Sequence, residues 1–280
     1  MASIAARSES LLPRQGWPDI DAARQFQFTA NPSETFRSGL VGRRRLAAGV
    51  EVYRQGEDAP EFYLVNSGWM CLYRLLPDGR RHNVKFAMPG DLIGFSMAPA
   101  MPMDHSAISL TESAVSVLDR DAVMRRYPKD AELMARLGCY MAREHALALQ
   151  QLTSVTRATA IERVTHLLLE LFIRSRRRLP EAGDRMRIPL TQEQIGDAVG
   201  LSAVHVNRML AELREEGILT LHSGQMVIAK PDRMSNLSPL DFNAMLDYFG
   251  PPPSAGAVPF PTPKPAVPVT PTRAKPSMPH

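Results

Sequence analysis

Cysteine is scarce in this chain. Two in 280 residues cannot build a disulfide framework, and they suit a reducing cytoplasm. Long apolar runs are missing too. None reaches the roughly 18 residues that a membrane helix needs, and the opening "MASIAARSESLLPRQGWPD" lacks the apolar stretch of a signal peptide. A cytoplasmic protein with no membrane attachment is expected. Excess charge of one sign is absent where it would be most telling. The formal charge is +4, but residues 150–250 hold 12 Lys/Arg against 12 Asp/Glu. The last 30 residues carry Lys264, Arg273 and Lys275 and no acid. Nucleic-acid binding therefore cannot be read from bulk charge and must come from local arrangement. Enzyme signatures are absent as well: no Walker loop, no metal-spaced His/Glu pair, no G-x-S-x-G. The chain reads as a non-enzyme with no metal site.

Apolar residues, at 44% of a chain of 280, are plentiful enough for a packed core and two domains of ordinary size. Residues 35–130 read as all-β. Short apolar runs such as "EFYLVNSGWMCLYRLL" and "HNVKFAM" alternate with turn signals, and Asp78-Gly79 marks a hairpin because both residues tolerate positive φ. The pattern predicts a small barrel or roll, preceded by an N-terminal extension over 1–34.

Residues 131–157 change character. The segment lacks Pro and is rich in helix formers. Met134, Gly138, Met141, His145, Ala148, Leu152 and Val155 recur at alternating spacings of four and three, the seam of a two-stranded coiled coil. These residues form the expected homodimer interface. Leu133, Leu137 and Tyr140 make a second stripe suited to packing on the barrel.

Residues 158–235 follow as a second domain. Thr159-Ala-Ile-Glu162 and Thr191-Gln-Glu-Gln194 are capping boxes that each open a helix, and Ser202 caps another. "LTLHSGQMVIA" reads as a hairpin with Gly224 in its turn. A last short helix is expected within 236–250, from Ser238-Pro239. Beyond it, 251–280 is a Pro-rich tail, with Pro at 11 of 30 positions, predicted to be disordered.

The order of barrel, long helix and two helices at helix-turn-helix spacing with a hairpin wing resembles the Crp/Fnr family of bacterial transcription regulators. The residues that carry the resemblance are Gly56-Glu57, "FYLVNSG" and Gly90-Asp-Leu-Ile-Gly94 in the barrel. Thr191, Gln194-Ile195-Gly196, Val199-Gly200, Ser202, Val206, Arg208 and Leu210 carry it in the C-terminal part. The resemblance implies an α+β fold: an N-terminal cyclic-nucleotide-binding-like β-roll, a long dimerisation helix and a C-terminal winged helix-turn-helix. It also implies double-stranded DNA and RNA polymerase as partners.

Independently of the family, Gly200 falls at a corner where positive φ is needed. The start of the fourth helix gathers Ser202, Ala203, Val204, His205, Asn207 and Arg208 outside its apolar face. A recognition helix enters the major groove N-terminus first. Arg suits guanine, Asn suits adenine, and small apolar side chains suit a thymine methyl. Arg208 is the leading candidate for a base contact, with His205 and Asn207 tuning preference and Ala203 and Val204 in apolar contact. Ser202 and Thr191 are expected on phosphates. The competing reading is a ligand-binding module that docks a protein partner through the winged helix.

Cyclic-nucleotide-binding members of the family have a Glu after the glycine at position 94 and an Arg about ten residues later. Here Phe95 and Asp104-His105-Ser106 stand in those places, and Ala148 and Leu149 replace the purine contacts. Regulation by cyclic AMP is not expected. Iron–sulfur members need four cysteines, and this chain has Cys71 and Cys139 alone. His105 and His145 make no haem pair. No cofactor is expected. The missing effector residues resemble the branch typified by FixK. The recognition helix departs from that branch, because Val204 replaces its acid and Asn207 its serine, so the branch's familiar operator is not assumed.

Overall fold

The computed structural model describes residues 36, 39–58, 60–95, 102–176 and 185–239. The N-terminal extension, the body of the helix expected after Ser238-Pro239, and the Pro-rich tail lie outside the described residues.

Eight strands build the roll: β1 (Leu40–Leu46), β2 (Glu51–Tyr53), β3 (Glu61–Ser67), β4 (Met70–Leu75), β5 (Arg81–Ala87), β6 (Leu92–Ile93), β7 (Ser106–Ser109) and β8 (Ser113–Asp119). They form two four-stranded antiparallel sheets, ordered β1-β8-β3-β6 and β2-β7-β4-β5. The β4–β5 hairpin turns at Gly79 (φ 83°), where Asp78 Oδ1 accepts from Arg80 N at 3.0 Å. Between the sheets lies one apolar core of Tyr53, Tyr63, Val65, Met70, Leu72, Ile93, Met103, Val115 and Val117. Strand β4 is buried on both faces, which explains why "MCLY" reads as an unbroken apolar run rather than an alternation. Met70 and Leu72 fill the roll; Cys71 and Tyr73 join the core of the C-terminal domain.

Two helices follow. The short α1 (Arg120–Arg126) is capped by Asp119 and runs through a 3-10 turn at Tyr127–Lys129. The long α2 (Ala131–Arg157) starts where the Asp130 carboxylate accepts from Leu133 N at 2.9 Å. Leu133, Leu137 and Tyr140 pack on Phe62, Leu64, Leu92 and Leu118 of the roll, and Tyr140 Oη donates to Leu92 O at 2.8 Å.

The C-terminal domain comprises α3 (Ala160–Arg176), β9 (Arg185–Arg187), α4 (Gln192–Val199), α5 (Ala203–Glu215), β10 (Leu219–His222), β11 (Gln225–Ile228) and α6 (Pro231–Leu237). Its sheet has the order β10-β11-β9. The expected wing hairpin is present, and its turn holds Ser223 (φ 49°) and Gly224 (φ 73°). Strand β9 was not expected, three residues being too few for a period-2 pattern. Nor was α6, which opens at Lys230-Pro231 with Pro in its first turn and no side-chain cap. The helix expected from Ser238-Pro239 is a separate, later element, and its body lies outside the described residues.

Candidate nucleic-acid interface

The helix-turn-helix is set by local chemistry. Thr191 and Gln194 close a reciprocal capping box at the start of α4, satisfying two of the backbone donors that a helix start leaves open. Gly200 ends α4 in the left-handed conformation (φ 69°, ψ 39°), which costs a residue without Cβ nothing. Gly196 is required for a different reason. A Cβ there would lie 2.4 Å from the backbone oxygen of Leu201, so the corner itself, rather than the facing helix, excludes a side chain. Ile195, Val199, Val206, Met209 and Leu213 lock α4 to α5 in a buried core.

That packing leaves the start of α5 facing out. Ser202 caps the helix by accepting from His205 N, and its hydroxyl also bonds His205 Nδ1 at 2.9 Å. Asn207 Oδ1 accepts from Gln192 Nε2 at 3.4 Å, tying the two helices across their outer face. Thr191, Ser202, Val204, His205, Asn207 and Arg208 are exposed, and Ala203 is half-buried. The seven residues named from sequence thus lie in α5 or at the caps of α4 and α5, six of them exposed. Val204 is 79% exposed. The Arg208 guanidinium has no hydrogen bond or ion pair among the described residues. Gln192 was missed from sequence because its partner lies on another helix. Exposed Arg185 and Arg187, flanking buried Met186 on β9 beside the wing, were missed together with their strand.

Along α2 the seam residues Met134, Gly138, Met141, His145, Ala148 and Leu152 are exposed and Val155 is half-buried. Met134, Met141 and Leu152 are 40%, 37% and 57% exposed. One face of the helix therefore carries the roll, and the other presents apolar side chains outward.

At the edge of the roll a chain of polar groups runs from buried Tyr53 out to exposed Asp104 and Arg74. Tyr53 Oη pairs with His105 Nε2 at 2.8 Å, and His105 Nδ1 with Asp104 Oδ1 at 2.5 Å. Arg74 donates to the other oxygen of Asp104. Burial pushes the Asp104 carboxyl up, but the hydrogen bonds from His105 and Arg74 outweigh it and hold the group below the usual carboxylate range. The Tyr53 ring stacks on Tyr63 at 6.1 Å between centroids; a Cβ on Gly94 would lie 3.1 Å from it. Phe95 packs edge-on against Phe62 at 5.1 Å. Burial pushes the Cys71 thiol up to about 12, so it is a thiol rather than a reactive thiolate. No group of three or more His, Cys, Asp or Glu that could hold a metal ion occurs among the described residues. Nor, among them, is any helix long and apolar enough to cross a membrane.

Roll and C-terminal domain share one core, which no local sequence pattern indicates. Cys71, Tyr73, Phe86 and Met88 pack with Leu167, Leu171, Val199 and Val206. At its edge Arg174 of α3 is buried, with Asp91 and Glu170 as ion-pair partners, and donates to Phe86 O at 3.0 Å. Burial works against the Arg174 charge, and the flanking carboxylates more than restore it. Asp91, from the Gly90–Gly94 motif, also accepts from Met88 N at 2.8 Å. The last carbonyls of α4, which the helix cannot satisfy itself, are taken by residues outside it. His82 of the roll bonds Asp197 O at 2.9 Å. Gln151 of α2 donates to Ala198 O at 2.9 Å, and Arg163 of α3 lies 3.5 Å from Val199 O.

These features define a DNA-binding regulator in which a winged helix-turn-helix is joined to a cyclic-nucleotide-binding-like roll. Residues 43–130 match the family of cyclic nucleotide-binding domains, and residues 162–237 match the Crp-like helix-turn-helix domain. The nitrogen fixation regulation protein FixK of Rhizobium meliloti is 32% identical over 192 residues, 68% of this chain and 83% of that one. A protein of Mycobacterium tuberculosis named as a CRP-like cAMP-activated global transcriptional regulator is 28% identical over 190 residues, 67% of this chain and 84% of that one. The solved structure of FixK2 from Bradyrhizobium japonicum superposes with a TM-score of 0.65 at 30% identity, covering 71% of this chain and 98% of that one. The chain belongs to the Crp/Fnr family of transcription regulators, and within it to the FixK type. The relatives are regulators of transcription rather than enzymes.

Proposed function

We propose that the protein works as a homodimer on a two-fold symmetric operator and binds it without cyclic AMP. The observation that carries this reading is the outward seam of α2. Its opposite face is buried on the roll, and a second copy would cover the seam by the knobs-into-holes packing that its spacing fits. Paired subunits would then offer two copies of α5 to half-sites about one helical turn apart. Thr191 and Ser202 contact phosphates; Ala203, Val204, His205, Asn207 and Arg208 face base edges. Independence from cyclic AMP is supported by the filled roll. Phe95 cannot accept a ribose hydrogen bond, Asp104 would repel a phosphate, and Tyr53 with Tyr63 occupies the interior. The family adds RNA polymerase as a protein partner and a cytoplasmic location.

Light scattering on purified protein, paired with selection of an operator from random duplexes, tests the reading. The expected outcome is a dimer that selects a palindrome with no additive present, binds it equally with and without cyclic AMP, and weakens steeply as salt rises. A monomer at high concentration, or retention that requires cyclic AMP, overturns it. Binding of a protein partner through the winged helix would lack that salt dependence on duplex.

A further inference from the structure

Within the outward set at the start of α5, the side chains divide by what already holds them. Ser202 and His205 are bonded to each other, and Asn207 is bonded to Gln192 of α4. Ala203 is half-buried. Val204 and Arg208 remain, without a partner among the described residues. They stand four residues apart, hence on one face of the helix and about 6 Å apart along its axis. A single exposed Val elsewhere would mean nothing. Here it is 79% exposed, it is β-branched and so not favoured by helix propensity, and it lies one turn ahead of the residue best suited to guanine.

We infer that Val204 reads the 5-methyl group of a thymine lying within two base pairs of the guanine read by Arg208. The inference rests on the proposed DNA contacts and deepens them by assigning the thymine methyl to Val204 rather than Ala203 and by placing that thymine relative to the guanine of Arg208. An isopropyl group can neither accept from the cytosine N4 amine nor donate to guanine or adenine acceptors. In the major groove its complement is the thymine methyl, the one apolar group that a base edge offers there. A carboxylate at position 204 would accept from cytosine N4, which an isopropyl group cannot do. Removing both methyl and isopropyl groups from water on binding is the source of the preference.

The experiment removes the methyl alone. An operator is first selected from random duplexes with the full chain, and deoxyuracil then replaces, one at a time, each selected thymine within two base pairs of the conserved guanine. Wild type is expected to lose about four-fold in affinity, the ~0.8 kcal/mol of one buried methyl group. Val204→Ala, which is exposed in the protein and favours helix, is expected to bind the thymine operator more weakly and to respond less than about two-fold to the same replacement. An operator with no thymine within two base pairs of the guanine overturns the assignment. So does an unchanged wild-type affinity, or an equal loss in both proteins. If wild type retains no duplex of any sequence, the DNA-binding reading itself falls and takes this assignment with it.

Discussion

The roll and the C-terminal head carry similar polar side chains and use them in opposite ways. In the roll, Tyr53, His105, Asp104 and Arg74 are bonded in a chain around a filled apolar interior. In the head, the Arg208 guanidinium has no partner among the described residues, and exposed His205 is bonded only through Nδ1, to the Ser202 cap. Polar groups that satisfy each other contribute to one fixed conformation. Groups left unsatisfied at the surface contribute nothing to the fold and stay available for a ligand. The residue types alone do not distinguish the two cases; the partners do.

Four changes test that contrast. The largest effect is expected where the two regions meet. Arg174→Ala leaves the buried Asp91 and Glu170 carboxylates without their shared cation, and should cost about 3–5 kcal/mol of stability. Denaturant melts read this directly, and Arg174→Met, which keeps the volume and leaves out the charge, should recover little while Asp91 remains. Combining it with Asp91→Asn should recover part of the loss. An Arg174→Ala melt identical to wild type would mean that the join is not closed in solution.

Arg208→Ala should separate binding from folding. Operator affinity falls by about 1–3 kcal/mol with one base position relaxed, while the melting temperature stays unchanged. A uniform weakening across all operator variants would place Arg208 on phosphate instead. Acid should act on the head's interior. His166 is buried on α3 and its Nδ1 lies 3.3 Å from Ser238 Oγ. Burial holds its imidazole below the ordinary 6.5. The unfolded chain therefore takes up the proton first, so this contribution to stability is present above about pH 6.5 and is lost as pH falls toward the folded value. Replacing His166 by Phe should flatten the pH dependence of the melt between pH 7 and 5. The smallest effect is expected from Tyr53→Phe, which removes one hydrogen bond to His105 and should cost about 1 kcal/mol with operator affinity unchanged.

Much of the fold was legible in the sequence because it is written locally. The capping box at Thr191–Gln194, the left-handed Gly200, the hairpin glycines and the heptad-spaced stripe of α2 each depend on neighbours within a few positions. The outward set at the start of α5 could be read for the same reason: once the apolar face is assigned, helical periodicity places what remains. What could not be read depends on residues far apart. Arg174 meets Asp91 across 83 positions, and Tyr53 meets His105 across 52. Nothing near Arg174 in "LLLELFIRS" indicates that its charge is buried.

The sequence by itself determined the order of the domains, the family and the residues exposed at the helix-turn-helix, since helix periodicity, turn chemistry and capping act at short range. Only the tertiary structure decided that the roll's interior is filled, that its outer face shares a core with the head, and that the carbonyls ending α4 are satisfied from three other elements. Burial and pairing over long sequence separations are properties of the packed chain, and no local pattern encodes them.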